Sequence, residues 1–172
     1  MILANLHLKQ HLIVQSKNGT GKTLAFSLLL LSNLHADLTV DQINDEIDDV
    51  SPLEVKALVI APTREIAIQI QELLQVLTVN AMKPPALVIG GIDIKEQRRK
   101  LIVDRPTIIV GTPGRIKEMI DKEWISLASV NTVVVDEADK FCCSSAQQNQ
   151  SGVKFFEDMA SLINLARQSK EV

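Results

Sequence analysis

Thr132-Val133-Val134-Val135-Asp136-Glu137-Ala138-Asp139 is an apolar, β-branched run that ends in three carboxylates. A run this short and this apolar fits a strand of a parallel sheet buried on both faces, and ligands of such sheets gather at the carboxyl ends of the strands. The acids are therefore expected at an active site. Upstream, Leu12-Ile13-Val14-Gln15 leads into Ser16-Lys17-Asn18-Gly19-Thr20-Gly21-Lys22-Thr23, and a helical pattern follows. Strand, glycine-rich turn and helix in that order are the setting a phosphate-binding loop requires. Gly19 and Gly21 let backbone N–H groups face phosphate oxygens without a Cβ in the way. Lys22 brings a cation to the β and γ phosphates, Thr23 a hydroxyl for Mg²⁺, and Asp136 a carboxylate for the same ion. Glu137 is the candidate to orient and deprotonate an attacking water; its competing reading is a plain salt bridge or cap. Loop and acidic strand end together read as a nucleoside triphosphate site.

At 172 residues, with 46% hydrophobic and 23% charged residues, the chain is expected to form a single soluble domain over 1–172. The start, Met1-Ile2-Leu3-Ala4-Asn5-Leu6-His7-Leu8-Lys9, lacks the basic opening and unbroken apolar core of a signal peptide. No apolar run nears a membrane span, so no membrane partner and a cytosolic or nuclear location are expected. Cys142 and Cys143 are adjacent, which offers neither a disulfide framework nor zinc spacing. His7, His11 and His35 show no metal or catalytic spacing either.

A net charge of −3 argues against bulk attachment to nucleic acid, so any such contact must be local. Asp41, Asp45, Glu46, Asp48 and Asp49 crowd a stretch read as an acidic, solvated insertion loop over 36–55, with a disordered partner-binding segment as the alternative. With no Tyr, one Trp and four Phe, the chain has few rings for a base-stacking platform. A nucleic acid would be held by sugar and phosphate.

Short β-branched runs alternate with longer helical patterns. Strands are expected at Leu12–Gln15, Ala57–Ala61, Ala86–Ile89, Thr107–Val110 and Thr132–Val135. Helices are expected at about Lys22–Leu34, Arg64–Leu77, Lys95–Val103, Gly114–Lys122 and Val153–Arg167. This βαβ repetition implies an α/β fold, an open three-layer α/β/α arrangement with a mainly parallel sheet. Thr63-Arg64 and Thr112-Pro113-Gly114-Arg115 each follow a strand and begin a helix, which turns N–H groups and an Arg toward one sheet edge. Singly such turns are plain caps; as a recurring set they favour binding of a phosphate backbone. Lys95, Arg98, Arg99 and Lys100 read as a solvated basic face, with RNA contact as the alternative. Trp124 is expected to pack.

These motifs, in this order, resemble those of the DEAD-box RNA helicases. Asp136-Glu137-Ala138-Asp139 is the tetrad that names the family, Ala61-Pro62-Thr63-Arg64-Glu65-Ile66 is similar to its Pro-Thr-Arg-Glu-Leu motif, Gly90-Gly91 to its glycine doublet, and Thr112-Pro113-Gly114-Arg115 to its Thr-Pro-Gly-Arg motif. The resemblance implies a RecA-like fold, ATP with Mg²⁺ as cofactors, and RNA as the partner. It implies that Pro62, Thr63, Arg64, Gly90, Gly91, Thr112, Pro113, Gly114 and Arg115 line one side of an RNA groove, with Asp139 coupling the nucleotide site to other motifs. Ser16 stands where the family usually has Ala, and Asn18 where it has Thr or Ser; Lys22 and Thr23 are kept.

The resemblance also implies parts beyond this chain: an adenine-reading motif before Met1, a Ser-Ala-Thr strand after Val172, and a second RecA-like domain with the arginine fingers and the other half of the groove. In related P-loop ATPases that strand is central, so the isolated chain is expected to be marginally stable or aggregation-prone, to bind ATP poorly and to have negligible ATPase activity. Gln15–Thr23, Ala61–Ile70 and Pro113–Lys117 further resemble the Gemin-type DEAD-box helicases of the survival-of-motor-neuron (SMN) complex, which implies SMN complex proteins as partners and small nuclear ribonucleoprotein assembly as the role. A truncated, non-catalytic nucleotide- or RNA-binding module stands as the alternative function. A DNA-directed helicase or other P-loop ATPase is disfavoured by Asp139 and the Thr-Pro-Gly-Arg turn.

Overall fold

The computed structural model describes residues 11–17, 19–38, 52–78, 83–142 and 150–168, within two units, Met1–Ile47 and Asp48–Val172. Among these residues no helix is long and apolar enough to cross a membrane. In the first unit the phosphate-loop segment leads into α1 (Lys22–Leu38), which runs one turn past its expected end. The strand expected at Leu12–Gln15 is not formed: residues 11–17 are exposed, Ile13 fully, and they join no ladder among the described residues. A strand persists only where a neighbour satisfies its backbone N–H and C=O groups, whatever the propensity of its side chains.

The second unit alternates as expected. Its elements are β1 (Leu53–Glu54), β2 (Ala57–Ile60), α2 (Arg64–Leu77), β3 (Ala86–Val88), α3 (Ile94–Asp104), β4 (Ile108–Gly111), α4 (Pro113–Asp121), β5 (Ile125–Ser126), β6 (Thr132–Val135), α5 (Ala138–Cys142) and α6 (Gln150–Gln168). Four strands form a parallel sheet in the order β3-β4-β2-β6. β2 is flanked on both sides, with Leu58 opposite Ile109 and Val133. β1 and β5 form a separate parallel pair, Leu53 opposite Ile125, and of the two only β1 falls inside the stretch 36–55 expected to be loop. Of the acidic stretch 36–55, the structure describes only 36–38, at the end of α1, and 52–55; the carboxylates from Asp41 to Asp49 lie outside the described residues.

Alternation along the strands explains the layers. Leu58, Ile60, Val88 and Ile109 share one core with Leu101 of α3, Ile116 and Met119 of α4 and Leu162 of α6. The intervening residues Ala57, Val59, Ile108 and Val110 are equally buried, and α2, through Ala67, Ile70 and Leu74, packs against β3 and β4. Both faces are therefore covered, which is why these strands read as unbroken apolar runs. β6 is only half-buried, with β2 as its ladder partner among the described residues.

Helix starts follow local chemistry. Thr63 is extended and its hydroxyl accepts from Ile66 N at 3.3 Å, capping α2. Asp93 Oδ1 accepts from Glu96 N at 2.9 Å, capping α3. α4 begins with Pro113, whose missing N–H costs nothing in a first turn.

Candidate nucleotide and nucleic-acid sites

The phosphate loop takes its shape from its own residues. Gly19 and Gly21 have φ of 76° and 86°, a region that side chains with a Cβ avoid, and nothing crowds either position. Glycine is thus required there by backbone torsion, not by space. Lys22 Nζ donates to the carbonyls of Ser16 at 2.8 Å and Lys17 at 3.0 Å, so the loop curls around the ammonium. The Thr20 hydroxyl donates to the Lys17 carbonyl at 2.8 Å and lies 2.8 Å from the Ser16 hydroxyl. Asn18 lies outside the described residues. A wrapped cation, a hydroxyl at Thr23 and the opening turn of α1 make a donor set that fits a triphosphate.

At the end of β6, Asp136 N donates to Ile60 O at 3.0 Å, which continues the ladder one residue past the strand. Glu137 then adopts φ 50°, and its N–H donates to Asp136 Oδ1 at 2.9 Å. A non-glycine residue in that region costs energy and reorients the chain abruptly. The turn sets Asp136 and Glu137 at the strand's carboxyl end and starts α5 at Ala138. Glu137 Oε2 is 2.5 Å from Lys140 Nζ, a contact that raises the lysine pKa above its ordinary value. The salt bridge weighed for Glu137 is therefore present. Lys140 went unremarked in the sequence, although three residues along a helix is a contact spacing. Asp139 is exposed.

Three strand-to-helix turns at the carboxyl ends of β2, β3 and β4 converge on an open cleft of about 530 Å³, lined by Arg64, Gly90, Gly91, Thr112, Gly114, Arg115 and Glu118. The Arg64 guanidinium lies across the glycine doublet: a Cβ on Gly91 would collide with its Nη1, and one on Gly90 would sit 3.3 Å from its Nη2. Arg115 has only 13% of its side chain exposed; its Nη1 donates to Ile92 O at 2.9 Å and its Nε lies 3.1 Å from Glu118 Oε2. Pro62, Thr63 and Pro113, expected in the same groove, do not line the cleft. Thr63 instead caps α2, and Pro113 is a buried first-turn residue of α4. Glu118 was missed, though it stands three residues from Arg115 on one helix.

Two further features follow the cleft. The Glu65 carboxyl, in the first turn of α2, is held below its usual range by its own backbone N–H, the Thr63 hydroxyl and the Arg64 charge. Trp124 packs against the core, with the Arg98 guanidinium 4.7 Å and the Lys122 ammonium 5.7 Å from its ring centroid.

The chain is similar to known proteins in sequence and in fold. The chain is 40% identical over 152 residues to the DEAD-box ATP-dependent RNA helicase CshA of Bacillus subtilis, covering 88% of this chain and 26% of that protein. Its fold matches a DEAD box protein from the hyperthermophile Methanococcus jannaschii, with a TM-score of 0.63 and 27% identity over 88% of this chain and 34% of that one. It also matches a hypothetical ATP-dependent RNA helicase from Sulfolobus tokodaii, with a TM-score of 0.69 and 26% identity over 96% of this chain and 40% of that one. The chain spans about a quarter of the length of the curated relatives it matches. The sequence profile described as DEAD/DEAH box helicase matches residues 1–167, and with the turns and cleft above this establishes that the chain belongs to the DEAD/DEAH box helicase family, as the N-terminal RecA-like region.

Proposed function

We propose that this chain is the ATP- and RNA-binding half of an ATP-dependent RNA helicase that remodels RNA duplexes or ribonucleoproteins in the cytosol or nucleus. The cleft carries this reading. Three turns from adjacent strands bring two arginines and a side-chain-free glycine surface to one edge, which suits a phosphate backbone approaching closely. No Tyr or Trp lines it, so recognition would run through sugar and phosphate with little base preference. Glu118 keeps Arg115 oriented until phosphate competes for the guanidinium.

In the first unit, Lys22 and the loop N–H groups would hold the ATP phosphates and Thr23 would offer a hydroxyl to Mg²⁺; in the second, Asp136 would offer a carboxylate suited to the same kind of ion. A bound Mg²⁺ would supply charge neutralisation of the phosphates. Glu137 would orient and deprotonate the attacking water, a role that requires it to leave Lys140. Asp139 would couple this site to RNA. A second RecA-like domain would close the groove and supply the arginine fingers, so hydrolysis is expected only when that domain is present, whereas binding belongs to this half. The alternative, a non-catalytic binding module, predicts that adding the domain restores no ATPase activity.

The narrower role in small nuclear ribonucleoprotein assembly rests on the wording of Gln15–Thr23, Ala61–Ile70 and Pro113–Lys117 alone; the relatives named above do not carry it. Co-purification with SMN complex proteins would support it. For the cleft itself, Arg64→Ala and Arg115→Ala should each weaken RNA binding about tenfold, evenly across sequences, and lower the salt slope by about one. Sequence-selective loss, or unchanged affinity in both variants, would overturn the assignment.

A further inference from the structure

We infer that Gln97 is a positioning residue for the RNA cleft, acting through the loop 89–93 that carries the glycine doublet. This rests on the cleft reading above. Gln97, on α3, is 4% exposed and is one of the few buried polar side chains among the described residues. Its Nε2 donates to Ile89 O at 2.7 Å, while its Oε1 is buried with no partner. Ile89 lies one residue past β3, where the ladder no longer serves its carbonyl, and the Gln97 amide takes the ladder's place.

The loop is thereby pinned at both ends. Gln97 holds Ile89; Arg115 holds the Ile92 carbonyl at 2.9 Å; Asp93 caps α3. Gly90 and Gly91 lie between these anchors and back the Arg64 guanidinium so closely that a methyl group on Gly91 would displace it. Releasing Ile89 frees one end of the surface on which Arg64 rests and beside which Arg115 is tied. A buried amide that leaves one of its own atoms unpaired is present for the donor, not for its own comfort in the core.

Replacing Gln97 with Leu removes one unpaired buried acceptor, Oε1, and creates another, Ile89 O, so the melting temperature should change little. In the full-length helicase, Gln97→Leu should weaken binding of a fluorescein-labelled single-stranded oligouridine about fivefold. It should raise the RNA concentration for half-maximal ATPase by the same factor, with kcat at saturating RNA unchanged, a split that a loss of folded protein would not give. Gln97→Met, of similar length, serves as the second variant and should behave alike. Wild-type RNA affinity in both variants, with Arg64→Ala still impaired, overturns the inference and leaves the cleft reading intact. Wild-type affinity in Arg64→Ala and Arg115→Ala as well overturns both. Failure of Gln97→Leu and Gln97→Met to fold assigns Gln97 to the core alone and also overturns it.

Discussion

Leu12-Ile13-Val14-Gln15 and Ala57-Leu58-Val59-Ile60 are similar four-residue runs, the first with three apolar residues and the second with four, each followed by a turn that reads as a ligand site. Their outcomes differ. The second is a strand, every residue at 0% exposure with ladders on both sides, whereas the first is exposed and unladdered among the described residues. The contrast shows that a strand belongs to its neighbours as much as to its own residues. It also separates two ways of building a site. The cleft inherits its geometry from three paired strands, while the phosphate loop inherits its geometry from two glycine torsions and the bonds of Lys22.

The largest expected effect tests the contrast directly. Hydrogen exchange should leave the amides of 57–60 protected at least about a thousandfold over those of 12–15, since core strands open only with the unit whereas unladdered segments open almost freely. Equal protection would show that residues 12–15 do find a ladder. Next come the chemical groups. In the full-length protein Glu137→Gln should slow hydrolysis about a hundredfold or more while ATP remains bound. Lys22→Ala should weaken ATP binding by about 10–100-fold, at roughly 1.5–3 kcal/mol for a charged hydrogen bond, without changing RNA affinity in the absence of ATP. Calorimetry with ATP and anisotropy with labelled RNA separate the two sites.

Gly91→Ala should act on the cleft alone. Its φ of 86° predicts a stability loss of about 1–2 kcal/mol, and displacement of the Arg64 guanidinium predicts weaker RNA binding, with ATP affinity unchanged. Smallest of all is the cap of α2: Thr63→Ala should cost about 1 kcal/mol in denaturant melts. The pH dependence has a fixed sign, because the folded-state pKa of Glu65 is depressed. Its contribution is present above the carboxylate's ordinary value and is lost as pH falls through the depressed one. Glu65→Gln should therefore flatten the acid side of the melting profile, and an unchanged profile would remove Glu65 from the account.

Much of the second unit was legible in the sequence. α2 at Arg64–Leu77 and β6 at Thr132–Val135 match their expected bounds, because apolar period and a Thr cap are local signals. The positions of Arg64, the glycine doublet and Arg115 at strand ends were legible for the same reason. β1 and β5 were not, since two residues carry no period and the pair joins segments far apart in the chain.

The sequence by itself determined the family motifs, the torsions that Gly19 and Gly21 supply, and the α/β alternation, all of which depend on residues close along the chain. Only the tertiary structure decided that Leu12–Gln15 stays unladdered, that Pro62, Thr63 and Pro113 stand outside the cleft, and that Glu118, Lys140 and Gln97 hold the groups around it. Which strands pair, and which side chain reaches which carbonyl or guanidinium, depends on where the folded chain brings them together, and a single sequence records no such distances.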